Sequence, residues 1–402
     1  MNICVITGLY PTEQSSSGGV FIHERLMQLR KQGIPYKIYA VEKRYSPGAA
    51  LIYRLAKRKS FQVSTIVSWD QSDTIIPLFY YVNIFDMILS HLHPRLYHEK
   101  ILEYLSDKLD VRADTIIHVH WVYPQGYYGV RIAKHYGVPC VITAHGSDIH
   151  TDPQQNRLIR KTTLAALSSA DRVIFVSQAL LNSAKTLGYE GNNAIVIPNG
   201  IDSVFLLPVN RETAVKKTGW QRSHKYVVGF VGNLVPVKRA DAFPKIFHYI
   251  HETMNDVEFV LVGKGILESS IKKQCGDLQV TFTGMVPHDD VLYWMNLFDV
   301  LILPSRNEGW GCVISEAYAC GIPVVGSDAG GIPEAMGGLG VVVPEGDDFE
   351  KRFAGAVCEV LNKNHVSEKQ DLIDTASRNT WEQCIMKEIG VYKSLLDSKE
   401  KS

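Results

Sequence analysis

The feature that most narrows the fold is a rhythm. Short runs rich in Val, Ile and Leu recur with helix-spaced stretches between them, and the rhythm passes through the chain twice. Runs that are apolar on both faces belong to parallel strands covered by helices on either side. The first set falls at 2–8, 36–41, 115–121, 140–145, 172–177 and 194–197, the second at 226–232, 258–263, 280–284, 300–304, 323–327 and 340–343. Between them stands Pro198-Asn199-Gly200-Ile201-Asp202, a turn-forming cluster where one sheet has ended and the next has not begun. A chain of 402 residues is long enough for two such α/β domains, each with its own core. The expected division is 1–198, 199–379 and a closing segment 380–402. In that segment Trp381, Ile385, Ile389, Tyr392 and Leu396 fall at helical spacing, so it should pack back on one of the domains.

Composition removes several function classes. Lys plus Arg and Asp plus Glu both total 42, so no overall field would hold nucleic acid. The seven cysteines (Cys4, Cys140, Cys275, Cys312, Cys320, Cys358, Cys384) are scattered and never form Cys-x-x-Cys, which disfavours a disulfide framework or a structural zinc site and fits a reducing cytoplasm. Met1 runs into an apolar strand without a basic leader or cleavage site, so secretion is not expected. The longest apolar stretch, 75–92, is interrupted by Pro77, Asn83 and Asp86 and reads as core or loop, not a membrane span.

In open α/β sheets ligands bind beyond the carboxyl ends of strands, where amides at helix starts can face an anion. The loops after the strands therefore hold the candidates. After the first strand, Ser15-Ser16-Ser17-Gly18-Gly19 leads into an amphipathic helix from Val20, and paired glycines let backbone approach a phosphate. Neither a Walker loop nor a Gly-x-Gly-x-x-Gly fingerprint is present there. Two later strands end in His118-Val119-His120-Trp121 and Ala144-His145-Gly146-Ser147-Asp148. The alternate histidines share a strand face, as metal ligands or hydrogen-bonded core residues do, whereas His145 stands at a strand end where its imidazole can meet a substrate hydroxyl.

The second half opens with Gly229-Phe230-Val231-Gly232-Asn233, then a turn and Lys238-Arg239. Lys238 near the first turn of the following helix would join a cation to free amides, a combination suited to a diphosphate. A charged pair on a solvated helix would give the same residues. The fourth strand is followed by Glu308 and, eight positions on, by Glu316 inside a helix of small and apolar residues. A carboxylate in such surroundings needs a partner, and two of them suit a polyol; a buried cap or ion pair is the other option for Glu316. Gly330-Gly331 at the next strand-to-helix junction would close the same wall.

These residues resemble the retaining glycosyltransferases of family 4, which adopt the GT-B fold: two facing Rossmann-like domains with a central cleft and a C-terminal helix. The likeness rests most on the EX7E pattern from Glu308 to Glu316, supported by Gly18-Gly19, 144–148, 198–202, the turn through Lys238, and 330–334. It is closest in 118–148 to bacterial members that build cell-surface polysaccharides. The resemblance implies a nucleoside diphosphate sugar (UDP- or GDP-) lodged on the second domain, with Glu316 on the ribose and Glu308 near the transferred hexose. Lys238 would hold the pyrophosphate, and Gly18, Gly19, Asn233, Gly311, Cys312 and Val313 complete the donor contacts. His145 would stand by the reacting carbon, and the first domain, with His120 and Asp148, would bind the acceptor. One position departs from the pattern: Asn233 stands where the family commonly has Arg, and Arg239 is the neighbour that would restore the charge.

Transfer through an oxocarbenium-like state requires a stabilised leaving diphosphate and a positioned acceptor oxygen. With no Asp-x-Asp in the chain, Lys238 and helix starts take that role, so activity without metal or other cofactor is expected. Two alternatives keep the fold: a non-catalytic sugar-nucleotide-binding or scaffolding partner, which Asn233 favours, and a nicotinamide oxidoreductase, which the missing fingerprint disfavours. Lys43, Arg44, Arg54, Lys57, Arg58 and Lys59, interleaved with Tyr45, Leu51, Ile52, Tyr53 and Leu55, read either as a basic amphipathic surface for the inner leaflet and a lipid-linked acceptor, or as a solvated helix with a core face.

Overall fold

Thirteen strands form among the described residues, each where an apolar run can be buried. The computed structural model describes residues 1–11, 18–57, 75–207, 209–362 and 369–400. The chain divides into two units, one of Met1–Phe175, Leu181–Ile197 and Ile385–Ser402, the other of Val176–Leu180 and Pro198–Cys384.

In the first unit β1 (Asn2–Thr7), β2 (Tyr36–Tyr45), β3 (Ile75–Val82), β4 (Thr115–His120), β5 (Cys140–Ala144), β6 (Arg172–Phe175) and β7 (Ala194–Val196) make one parallel sheet, ordered β3-β2-β1-β4-β5-β6-β7. In the second, β8 (Tyr226–Val231), β9 (Val257–Val262), β10 (Val280–Gly284), β11 (Val300–Leu303), β12 (Val324–Ser327) and β13 (Val341–Val343) run β10-β9-β8-β11-β12-β13, again all parallel. Central strands such as β1 and β11 bury almost every side chain, as strands covered on both faces must. Each order reverses once, at β1/β4 and at β8/β11. In open parallel sheets, loops leaving the carboxyl ends of the strands at such a reversal run to opposite faces and leave room for a ligand.

The turn at 198–202 runs beside the segment that returns at 379–381. Ile201 donates its amide to the Asn379 carbonyl and accepts from the Trp381 amide. A Cβ at Gly200 would lie 2.5 Å from the Trp381 backbone, so only glycine lets the two passages lie so close. The last helix, Trp381–Glu400, carries Tyr392 with no exposed surface, and from Ile385 onward it belongs to the first unit.

The stretch 75–92, expected as core or loop, is instead a strand and a helix. Proline removes a ladder donor, and β3 tolerates Pro77 because it is the edge strand, paired only with β2. Asn83 and Asp86, which look like polar interruptions, form a reciprocal capping box that starts the helix Ile84–Leu92. Lys43, Arg44 and Tyr45 lie on β2, while Leu51 and Ile52 are exposed on the helix Pro47–Lys57. Arg58, Lys59 and Ser15 to Ser17 lie outside the described residues, as do the side chains of Tyr53, Arg54, Leu55 and Lys57. Among the described residues no helix is long and apolar enough to cross a membrane.

Candidate active site

In the second unit the loops at the β8/β11 reversal bring Lys238 to Glu308. The ammonium donates to Glu308 Oε1 at 2.5 Å, and the same oxygen accepts from Ser305 Oγ at 2.7 Å. Lys238 ends a short turn, Pro236–Lys238, and does not stand in the first turn of the helix as expected. Arg239 takes the left-handed conformation next to it (φ 53°), and the helix proper begins at Phe243. Glycines let these loops nest. A Cβ at Gly263 would sit 2.0 Å from the Gly232 carbonyl oxygen, and one at Gly330 would sit 2.2 Å from that of Glu308. Gly330-Gly331 thus supports the Glu308 loop from behind, and the Gly331 amide donates to the Glu308 carbonyl at 3.0 Å.

The helix Cys312–Ala319 starts at Gly311 in the left-handed region (φ 86°), and no side chain caps it. Its first amides, at Cys312 and Val313, are placed as an anion requires. Ile314, Ala317 and Tyr318 root this helix in the core, while Glu316 keeps part of its side chain accessible, with Oε1 3.4 Å from Nε2 of His288. The Cys312 thiol senses the whole group. Burial pushes it up to about 12, with Glu316 and Glu308 adding to the rise and the Asn199 hydrogen bond and Lys238 opposing it. Lys238, Glu308, Glu316, Gly311, Cys312 and Val313 therefore share one locality.

Arg239 does not restore the charge missing at Asn233. Its Nη2 donates to both oxygens of Glu345 at 2.6 Å, and the guanidinium lies 3.9 Å above the Phe349 ring. Buried and doubly engaged, it holds the fold. Asn233 itself is exposed.

In the first unit Gly19 is left-handed (φ 80°) at the start of the helix Val20–Lys31, with Gly18 in the preceding turn. A Cβ at Gly19 would meet the Leu9 carbonyl oxygen at 3.0 Å, which is why glycine is needed. His145 Nε2 bonds His120 Nδ1 at 3.0 Å, and its ring is flanked by Phe21 and Trp121 with centroids 4.7 and 4.8 Å away. Trp121 holds φ 78° at the end of β4, a strained setting for a bulky residue, and its indole donates to Ser147 Oγ. Burial drives both imidazoles well below the usual histidine range, so both are neutral. His145 Nδ1 and His120 Nε2 are shielded from solvent and have no hydrogen-bond partner among the described residues.

His120 and Asp148, expected to touch an acceptor, have no exposed surface. Asp148 accepts from the amides of Val122, His145 and Gly146 and so builds the loop that presents His145. Burial lifts its carboxyl to about 6 against the pull of those amides. Behind the pair lies a closed chain. Arg25 Nη1 donates to Glu388 at 2.5 Å, and Tyr392 gives its proton to the other Glu388 oxygen. The phenol oxygen must then accept from His118 Nδ1 at 2.7 Å, leaving Nε2 to accept from Thr143. This fixes the His118 tautomer, and burial holds its pKa at about 4.

Sequence reasoning passed over Ser305, His288, Gly263 and the Arg25–Glu388–Tyr392 chain. Pro287-His288, shortly after the strand at 280–284, was the available signal for His288. Nothing local marks Arg25 and Glu388, which are 363 positions apart. Among the described residues no three His, Cys, Asp or Glu side chains gather to hold a metal ion.

Two Rossmann-like units with a cation and two carboxylates at the switch point of the second suit a glycosyltransferase, and the family matches show that class. The sequence matches the model described as Glycosyltransferase Family 4 over residues 18–205 and that described as Glycosyl transferases group 1 over 225–363, and the chain belongs to the family 4 glycosyltransferases. It is 26% identical over 340 residues to the putative teichuronic acid biosynthesis glycosyltransferase TuaC of Bacillus subtilis, covering 84% of this chain and 83% of that protein. Among solved structures, Anabaena HepE in complex with UDP and glucose superposes with a TM-score of 0.68 at 18% identity, covering 98% of this chain and all of that one. The sucrose-phosphate synthase of Thermosynechococcus elongatus gives 0.74 at 18% identity, covering 99% of this chain and all of that one. Both share the GT-B architecture of this chain.

Proposed function

We propose that this enzyme transfers a hexose-type sugar from a UDP- or GDP-sugar to a saccharide, lipid-linked or protein-linked acceptor, with retention of anomeric configuration and without a metal. The observation that carries the reading is the single locality of Lys238, Glu308, Glu316 and the uncapped helix start at Gly311 to Val313. In it Lys238 and the Cys312 and Val313 amides take the diphosphate, Glu316 takes the ribose, and Glu308 takes hydroxyls of the sugar. The uncharged imidazole of His145 suits a neutral hydroxyl in the first unit, which binds the acceptor. A UDP complex of HepE and the teichuronic acid role in the printed name of TuaC support a nucleotide sugar and a cell-envelope polysaccharide. All seven cysteines are free thiols, in keeping with a cytoplasmic enzyme, peripheral at most on the inner face of the membrane.

Retention follows from a same-face displacement. The bond from the anomeric carbon to the phosphate oxygen breaks, the acceptor oxygen bonds to that carbon from the same side, and the acceptor proton passes to the departing phosphate. Titration calorimetry of UDP- and GDP-sugars in chelator, on the wild type and on Glu316→Ala, tests the donor site. One donor should bind, and the substitution should weaken it at least about tenfold. Absence of binding by every donor sinks the reading, and an inverted product overturns the displacement. A scaffolding role is the second reading, favoured by Asn233 and by the engagement of Arg239 with Glu345. Donor binding without transfer to any acceptor would establish it.

A further inference from the structure

Glu316 is flanked along its own helix by two thiols, Cys312 and Cys320, each four positions away. Burial pushes both up to about 12, so both are neutral. Asn199 Nδ2 donates to the first at 3.6 Å and Asn296 Nδ2 to the second at 3.4 Å. The hydrogen that reaches the carboxylate comes from another element. Nε2 of His288 lies 3.4 Å from Glu316 Oε1, and an ionised carboxylate only accepts, so Nε2 is the protonated nitrogen. Among the described residues His288 is the one side chain that hydrogen-bonds Glu316.

His288 is held for this contact. It opens the helix His288–Met295 directly after Pro287, whose ring fixes the backbone entering the helix. Its ring lies 5.6 Å from that of Phe205, which has no exposed surface. Phe205 sits in the short turn Ser203–Leu206, which packs against the helix Cys312–Ala319 and begins where the Asp202 side chain accepts from the Val204 amide at 3.0 Å. The turn at 198–202 thus has a task in the second unit: Asn199 meets the first residue of the Glu316 helix, and Asp202 starts the turn that backs His288. The pair is not sealed, with 23% of the His288 side chain and 14% of that of Glu316 exposed, so a ligand hydroxyl can reach it.

We infer that His288 is a positioning residue for the ribose of the donor. By bonding Oε1 it holds the Glu316 carboxylate in one orientation before the nucleotide arrives and leaves Oε2 to accept from the ribose hydroxyls. Ordering the carboxylate in advance removes part of the cost of binding. This deepens the role given to Glu316 above and rests on that reading.

The test is titration calorimetry of the full chain with UDP and GDP and with their 2′-deoxy counterparts. The wild type should bind one ribonucleotide and bind its 2′-deoxy form more weakly. His288→Ala should weaken the ribonucleotide about five- to tenfold, the worth of one hydrogen bond to a charged group, and the deoxy form less, so that the preference between them shrinks. His288→Phe, which keeps a ring against Phe205 without the donor, should behave as His288→Ala does. His288→Gln, which offers an N–H at similar reach, should restore both affinity and preference at an unchanged thermal midpoint. Equal weakening of both forms, or a loss in His288→Gln as large as in His288→Ala, would show that the ring serves packing and overturn the inference. A donor site that Glu316→Ala weakens and His288→Ala leaves intact overturns this inference alone, whereas a wild type that binds neither nucleotide overturns the donor site and this inference with it.

Discussion

The two sheets share a topology around their reversals, and the loops leaving those reversals have opposite characters. In the first unit His118, His120 and His145 are neutral rings stacked among Phe21, Trp121 and Tyr392, and the Arg25–Glu388 ion pair is sealed beneath them. In the second, Lys238, Glu308 and Glu316 remain partly accessible, and Lys238 and Glu308 neutralise each other. Burial decides the difference. A sealed, hydrogen-bonded ion pair holds a structure, whereas a pair at an accessible loop can exchange partners when an anion arrives. One end is therefore neutral and closely packed, the other charged and accessible.

The largest effect should come from breaking the sealed pair. Glu388→Ala leaves Arg25 charged, buried and without its carboxylate, and is expected to lower stability by about 3–5 kcal/mol, read as a fall in denaturant midpoint. Replacing both partners, Arg25→Met with Glu388→Leu, should recover much of that loss. Equal losses in the single and double variants would mean that packing of the last helix, and not the charge pair, holds this region together.

Next is the partly accessible pair. Lys238→Ala should lower kcat/KM roughly 10²–10³-fold, the usual cost of removing one group that meets developing negative charge. Its thermal midpoint should stay near that of the wild type, because the Lys238–Glu308 pair is partly solvated. A large loss of stability with little loss of rate would reverse the contrast between the two ends.

Much of this contrast was legible in the sequence. Glu308, Glu316 and Lys238 stand just beyond strands that the apolar runs mark, and the spacing alone puts one carboxylate in a loop and the other on a helix. What was illegible depended on distant pairings. The burial of His120 and Asp148 follows from β4 and β5 lying side by side, with Asp148 turned back onto three amides. The fate of Arg239 depends on Glu345, 106 positions away. The edge position of β3 is what excuses Pro77, and edge or centre is a property of the sheet, not of the segment.

Titration gives a third, smaller test. His118 folds with a pKa near 4 against an ordinary 6.5, so between those values the unfolded chain holds the proton and the folded one does not. Stability is then lost as pH falls through that window, by roughly 3 kcal/mol for one such group. His120 and His145 act in the same direction. Asp148 opposes them: its folded pKa is raised from 3.8 to about 6, so its contribution is present at low pH and lost as pH rises through that range. With three histidines against one carboxyl, the thermal midpoint should drop between pH 7 and pH 5. Asp148→Asn should make the drop steeper, and equal midpoints at both pH values would mean the first unit does not hold its rings neutral.

The smallest effect concerns Asn233, which is exposed and lies beyond β8, five residues before Lys238. Both Glu345 oxygens hold Arg239, so the proposed diphosphate site has Lys238 as its cation beside the helix-start amides. Adding a cation at 233 should therefore help a real transferase, and Asn233→Arg is expected to raise kcat/KM several-fold, up to about tenfold, or about 1 kcal/mol in the barrier. The gain should shrink at high salt, since the side chain is solvent-facing. If Asn233→Arg tightens donor binding but leaves the rate unchanged, the charge serves ground-state binding alone and the leaving group is already satisfied. If it creates transfer where the wild type shows none, the second unit of the native chain is a binding site that stopped one cation short of catalysis.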